Sequence, residues 1–274
     1  MTHIRELFDL RGRAAIVTGG GGLLGKEFCR TLAEAGAHVA VVDQQSSAAH
    51  DVADALSAAG HSATAVVADV SDPASVRAMV EATLRAYDRV DILVNSAALD
   101  PKFDAANKAP THTASFEAFP LEVWSRALAV NLTGPYLTCQ AVLEPMRKAG
   151  AGTIVNICSM YGLVGPDQRL YERPGHATPY KPAYYSVTKA GILGLTKYLA
   201  TYLAGTKIRV NALTPGGVFN GHDEAFLQRY AVRSVLGRMA QPDEMNGALL
   251  YLASDASAYM TGANLVVDGG WTAW

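Results

Sequence analysis

Charge of either sign is scarce in this chain, and neither sign dominates. Of 274 residues only 18% are Asp, Glu, Lys or Arg, 23 basic against 25 acidic, for a net charge of −2. Binding a nucleic-acid backbone needs clustered Lys and Arg, and no such run occurs, so no nucleic-acid partner is expected. Cysteine is rarer still. Cys29, Cys139 and Cys158 lie in apolar periodic segments without CxxC spacing. The thiols read as small buried hydrophobes in preference to metal ligands or a disulfide framework, and a reducing cytoplasm is the expected compartment. Long apolar runs are also missing, and the segment from Met1 to Asp9 is polar and charged. Neither membrane association nor export is therefore expected. Asn131-Leu132-Thr133 has the form of a glycosylation sequon, which carries no weight in an unexported chain.

Half of the residues are apolar, enough for one well-buried domain over 1–274 without metals or disulfides. Short β-branched runs alternate with longer segments of helical period. Ala14–Thr18, Val39–Asp43, Ala65–Asp69, Ile92–Asn95, Thr153–Ile157, Arg209–Leu213 and Asn264–Val267 read as strands. Continuous apolar strands separated by helices imply an α/β fold: a single doubly wound Rossmann domain whose seven-stranded, mostly parallel sheet carries helices on both faces. The rhythm breaks only at 162–182, which holds Pro166, Pro174, Gly175, Pro179 and Pro182. That stretch reads as a long loop of the kind that covers a ligand.

The first predicted strand runs directly into Thr18-Gly19-Gly20-Gly21-Gly22-Leu23-Leu24-Gly25 and then a good helix. Glycines there admit a pyrophosphate to the backbone, and the helix start offers unpaired N–H groups and a positive dipole end. Asp43 closes the second strand at the interval expected of a ribose-binding acid. It would bond the ribose hydroxyls and repel a 2′-phosphate, and no Arg follows it in Gln44-Gln45-Ser46, so NAD is favoured over NADP. A strand-end turn or helix cap is the plainer role for such an Asp. Further on, Tyr185 and Lys189 stand four apart in a helical segment, a spacing that sets a cation beside a phenol. A phenol so placed is biased toward phenolate and suits acid/base work, although the spacing alone recurs by chance in many helices.

Taken together, these features resemble the short-chain dehydrogenase/reductase family over nearly the whole chain. The resemblance implies catalytic roles for Ser159, which follows Asn156-Ile157-Cys158, for Tyr185 and Lys189, and for Asn131 in Ala129-Val130-Asn131-Leu132-Thr133-Gly134-Pro135. Leu23 stands where the family's middle glycine is usual, which passes the close-approach role to Gly22. By the same likeness the cofactor contacts fall on Gly19, Gly22, Leu23, Leu24, Asp43, Asp69, Val70, Asn95, Ser96, Ala97, Tyr185, Lys189, Pro215, Gly216 and Val218. Pro135 lacks an N–H and so deprives the Asn131 carbonyl of its helical partner. In the family a water held there relays protons from the Lys, and the same path is expected here.

Substrate choice is expected from 99–119, from the 162–182 loop and from the residues after Val218. Hydrogen-bonding groups are plentiful there and large apolar ones few, which suggests a polar, sugar-like or polyol-like ligand. Lys102, Arg169 and His176 are candidates to bind it, as against solvated loop charges. The Leu23-Leu24 turn, the run Ala98 to Phe103 and the Gly270-Trp271-Thr272-Ala273-Trp274 ending look like family members linked to bacterial surface-sugar and flagellin-glycan synthesis. Two other readings stand beside the dehydrogenase: an NAD-binding sensor or scaffold without turnover, and an epimerase or dehydratase that uses NAD catalytically. The helices around 121–149 and 183–203 resemble those the family packs into dimers and tetramers, so a homo-oligomer is expected.

Overall fold

Alternating apolar residues build the strands from the inside out. In this computed structural model, which describes residues 3–101, 115–172 and 179–274, the strands are β1 (Ala14–Thr18), β2 (His38–Asp43), β3 (Ala63–Val67), β4 (Ile92–Asn95), β5 (Gly152–Ile157), β6 (Ile208–Pro215) and β7 (Asn264–Val267). They form one sheet in the order β3-β2-β1-β4-β5-β6-β7, and every pairing is parallel. The third strand starts and ends two residues earlier than its composition suggests. Ala68 donates its N–H to the Asp43 carbonyl, and Asp69 has already turned away to accept from the Ser71 N–H and hydroxyl.

Because side chains alternate across a strand, the central strands feed two cores. Ala15, Val17, Val39, Val41, Ile92, Val94 and Val155 face one way. There they meet Phe28 and Leu32 of helix α1 (Leu23–Glu34), Leu56 of α2 (Ser46–Ala58), and Leu249 and Leu252 of α8 (Asn246–Ala253). Ile16, Ala40, Val42, Leu93 and Ile154 face the other way. They pack on Val76 and Met79 of α3 (Pro73–Tyr87), Val142 and Met146 of α5 (Gly134–Ala149) and Leu199 of α6 (Ala183–Tyr202). Burying each such Leu, Ile or Phe side chain contributes roughly 1.5–3 kcal/mol. Helix α4 (Leu121–Leu128) runs into α5, and α7 (Glu224–Arg233) lies between β6 and α8 in the chain.

Two features of this framework position the site. Strand order reverses between β1 and β4, so the loops leaving their carboxyl ends part and open a crevice there. Between α4 and α5 the helix continues without a break through a single π-turn, Ala129–Thr133. Pro135, next in α5, has no N–H to offer the residue four back, and the wider turn is how the backbone absorbs that mismatch.

Candidate active site

One cleft of about 610 Å³ follows the carboxyl edge of the sheet from the glycine turn to the start of α6. At one end Gly19, Gly21, Gly22, Leu23 and Leu24 line it, with Asp43, Asp69, Val70, Ser96 and Ala97 along the wall, and Pro215, Gly216 and Val218 line it too. Gly22 caps α1 without a side-chain hydrogen bond, and the helix carries no acid in its first turn. The orphan N–H groups of that turn are thus left to an anionic ligand. Gly19 adopts φ +65°, and a Cβ on it would meet the Ala97 backbone at 2.8 Å. A Cβ on Gly25 would come within 1.9 Å of the Gly19 carbonyl oxygen, so only glycine lets α1 approach the loop this closely. Asp43 accepts from the Gly21 N–H at 3.2 Å and the Gln45 N–H at 3.0 Å. The plainer turn role is therefore real and coexists with a position on the cleft wall. A donor-rich helix start, glycine-only approaches and a carboxylate at the strand end fit a nicotinamide dinucleotide.

Asn95 was expected at this wall but lies beneath it. It is 4% exposed, donates to the Asn156 Oδ1 at 2.9 Å and accepts from the Thr138 hydroxyl at 2.7 Å. This buried knot ties β4 and β5 to α5. Thr18 completes the floor by accepting from the Ser96 and Ala97 N–H groups at 3.1 and 3.3 Å.

At the far end Ser159, Tyr185 and Lys189 come together from the end of β5 and from α6. Lys189 is 4% exposed and donates to the Ile157 carbonyl at 2.8 Å, with its ammonium 5.7 Å from the Tyr185 ring centroid. Burial lowers the Lys189 pKa. Burial, followed by the charge of Asp100, raises the Tyr185 phenol well above its usual value, against a hydrogen bond with Ser159 that lowers it. The sequence suggests a phenol biased downward by Lys189; in the structure the protein's own groups leave it high because desolvation wins.

Asn131, 1% exposed, faces the loop after β4. Its Oδ1 accepts from the Leu99 N–H at 2.6 Å and its Nδ2 donates to the Leu99 carbonyl at 3.0 Å. The π-turn carries this residue, so the side chain that braces the substrate-side loop is set by the irregularity Pro135 imposes.

Most of the remaining wall falls on the segments expected to set substrate choice, but its aromatic character was not foreseen from the sequence. Tyr161, Tyr171, Phe226, Tyr230 and Met239 line the cleft and pack with Trp271 into one aromatic cluster. Tyr171 donates its hydroxyl to that of Tyr161 at 3.1 Å, and the Tyr230 hydroxyl accepts from the Gly217 N–H at 2.7 Å. Asp100 and Lys181 also line it, joined as an ion pair. Arg169 does not line it: it turns outward to Asp167 at 2.7 Å and borders a separate groove with Arg229 and Arg233. Lys102 and His176 lie outside the described residues. Among the described residues no cluster could hold a metal ion, and no helix is long and apolar enough to cross a membrane.

Comparison with known proteins agrees with this geometry. A family model described as enoyl-(acyl carrier protein) reductase matches residues 22–272. The chain is 36% identical to the D-threitol dehydrogenase of Mycolicibacterium smegmatis, covering 99% of both proteins. It superimposes on a short-chain type dehydrogenase/reductase from Mycobacterium marinum with a TM-score of 0.86, 34% identity and 99% coverage of each chain. A gluconate 5-dehydrogenase from Burkholderia cenocepacia, solved with NADP and tartrate, matches with a TM-score of 0.85 and 33% identity, covering 99% of this chain and all of that one. With the Rossmann sheet, the glycine turn and this sequence similarity in place, the chain belongs to the short-chain dehydrogenase/reductase family.

Proposed function

We propose that this protein is an NAD-dependent oxidoreductase acting on the alcohol or carbonyl of a polar, polyol-like or sugar-like substrate. The observation that carries the reading is the single cleft joining an anion-receptive helix start to Ser159, Tyr185 and Lys189. A nicotinamide cofactor, when bound, supplies hydride acceptance or donation and, in its oxidised form, a positive charge near the phenol. Gly19, Gly22, Leu23 and Leu24 would hold its pyrophosphate, Asp43 its adenosine ribose, and Pro215, Gly216 and Val218 its nicotinamide end.

The protein's own residues do the rest. Ser159 and Tyr185 hold the reacting oxygen from two sides, and Tyr185 takes its proton as the alcohol becomes a carbonyl, or returns it in the reverse direction. Lys189 holds its position through Ile157 and offers a cation to the phenolate as it forms. Asn131 keeps Leu99 against the cleft, and its backbone carbonyl, to which Pro135 offers no N–H, would hold a water that passes protons onward from Lys189. The named relatives act on D-threitol and gluconate, which supports a hydroxyl-rich substrate. Asp43 favours NAD, although NADP occupies the Burkholderia relative, so the preference is a property to be measured on this chain. Leu121, Tyr136, Tyr198 and Tyr202 are exposed on α4, α5 and α6, and they support a dimer or tetramer built on those helices; a monomer by light scattering would contradict this.

The test is a panel of four- to six-carbon polyols and their ketoses, followed by NADH absorbance with NAD and NADP in parallel. Turnover with NAD and a marked preference for it are expected. Substrate conversion without net NADH would favour an epimerase or dehydratase, and NAD binding without turnover of any member would favour a sensor.

A further inference from the structure

Tyr185 is bracketed by two lysines. Lys189 follows it by four residues and Lys181 precedes it by four, and the nearer ammonium belongs to Lys181. Its Nζ sits 4.2 Å from the Tyr185 ring centroid, against 5.7 Å for Lys189, and 6.0 Å from the Tyr161 ring. Lys181 is 7% exposed, which is rare for a lysine without a functional or structural reason. It forms an ion pair with Asp100, whose side chain is half exposed on the cleft wall.

The structural explanation for burying this residue is already met by its backbone. The Lys181 N–H donates to the Gln168 Oε1 at 2.8 Å, and its carbonyl accepts from the Gln168 Nε2 at 3.1 Å. Those bonds pin the 168–171 turn to the entry of α6 whatever side chain stands at 181. The ammonium over the ring is a separate feature. A cation on an aromatic face is held by the ring's electron density, and that density rises when a phenol ionises, so the contact strengthens in the phenolate. Asp100 acts in the opposite sense by drawing the ammonium to itself and by repelling the phenolate.

We propose that Lys181 is a positioning residue for the catalytic tyrosine: its ammonium is shared between the Tyr185 ring and the Asp100 carboxylate, and this sharing sets how readily the phenol gives up its proton. Among the described residues, the other groups facing Tyr185 are Lys189 on α6, Cys158 and Ser159 at the end of β5, and Tyr161 and Tyr171 beyond it. None of them changes in the variants below. A substrate hydroxyl that donates to Asp100 would release the ammonium toward the phenolate, coupling polyol binding to activation of the base. The inference rests on Tyr185 being the acid/base, but its test does not need turnover.

The experiment labels tyrosine at Cζ with carbon-13 and reads, by NMR of the NAD-saturated protein, the fraction of Tyr185 ionised at about pH 10, the ordinary phenol midpoint. The resonance missing in Tyr185→Phe identifies it. Asp100→Asn should raise the phenolate-to-phenol ratio roughly tenfold or more over wild type, the effect of moving a charge at this range. Adding Lys181→Met should abolish the gain, while adding Lys181→Arg should keep it. A ratio unchanged in Asp100→Asn, or a gain indifferent to Lys181→Met, overturns the proposal; circular dichroism confirms that each variant is folded. If Tyr185→Phe retains turnover on the polyol panel, the acid/base reading fails instead, independently of this titration.

Discussion

Asn131 and Leu99 exchange two hydrogen bonds, and that exchange fixes the loop which brings Asp100 to the cleft. Replacing Asn131 by Leu keeps the branched outline, with a somewhat larger side chain, but leaves the Leu99 N–H and carbonyl without their partners. We expect a loss of about 1–3 kcal/mol in denaturant unfolding, the cost of a buried polar group left unpaired, together with a fall in turnover; an unchanged midpoint would show that Leu99 finds other partners. The pH dependence of alcohol oxidation belongs to the same scale. In the proposed mechanism the base is the ionised phenol, and burial and Asp100 hold Tyr185 above its usual value. The oxidation rate should therefore climb with pH through the alkaline range, and a rate already flat at neutral pH in wild type would contradict that sign. Ser159, Tyr185 and Lys189 were legible as residues, because their spacing and strand-end context are local. Lys181 and Asp100 were not, since they meet across more than eighty positions of chain. The four-residue spacing of Lys181 from Tyr185 was present in the sequence, but Pro182 between them marks Lys181 as lying outside the helix.

Helix α1 and the turn before it show how far an element can be read from its residues. The glycine run and its placement between β1 and a helix were visible in sequence, but α1 begins at Leu23, before the Gly25 after which the helix was expected. What was not visible is which glycine is obligatory. Leu23 is tolerated because it is the first helical residue, whereas Gly25 abuts the Gly19 carbonyl. Gly25→Ala should cost about 1–3 kcal/mol, as overpacking does, and should weaken NADH binding in a fluorescence titration; unaltered binding would mean that α1 can shift without disturbing the turn. The element between α4 and α5 was read as a helix in which Pro135 deprives the Asn131 carbonyl of its partner, and it is a π-turn with helical flanks. Sequence indicated the missing N–H but not how the backbone would accommodate it. The 162–182 loop is partly described. Its 3₁₀ turn Gln168–Tyr171 sends Leu170 and Tyr171 into the aromatic cluster, so the polar character assigned to this loop holds for its outer face while aromatic rings line the cleft.

For the molecule as a whole, continuous apolar strands alternating with helices were enough to specify a parallel sheet with two covered faces, because the central strands must satisfy two cores. The same burial explains the cysteines. Desolvation raises the thiol of Cys29 far above its usual range, pushes Cys139 up to about 12 and raises Cys158. The thiolate is the reactive form, so the folded protein should resist alkylation at neutral pH and all three thiols should react once it is unfolded. Mass spectrometry showing rapid modification of the native protein would mean that one of the two cores opens. The central claim is that one cleft binds the dinucleotide at its α1 end and carries out proton transfer at Tyr185. The measurement that tests it most directly compares wild type with Tyr185→Phe, reading NADH binding by fluorescence and polyol oxidation by absorbance on the same preparations. The account predicts near-equal binding and a turnover lower by roughly 10²- to 10⁴-fold in the variant. A variant that keeps most of its turnover, or that loses binding along with it, would contradict the account.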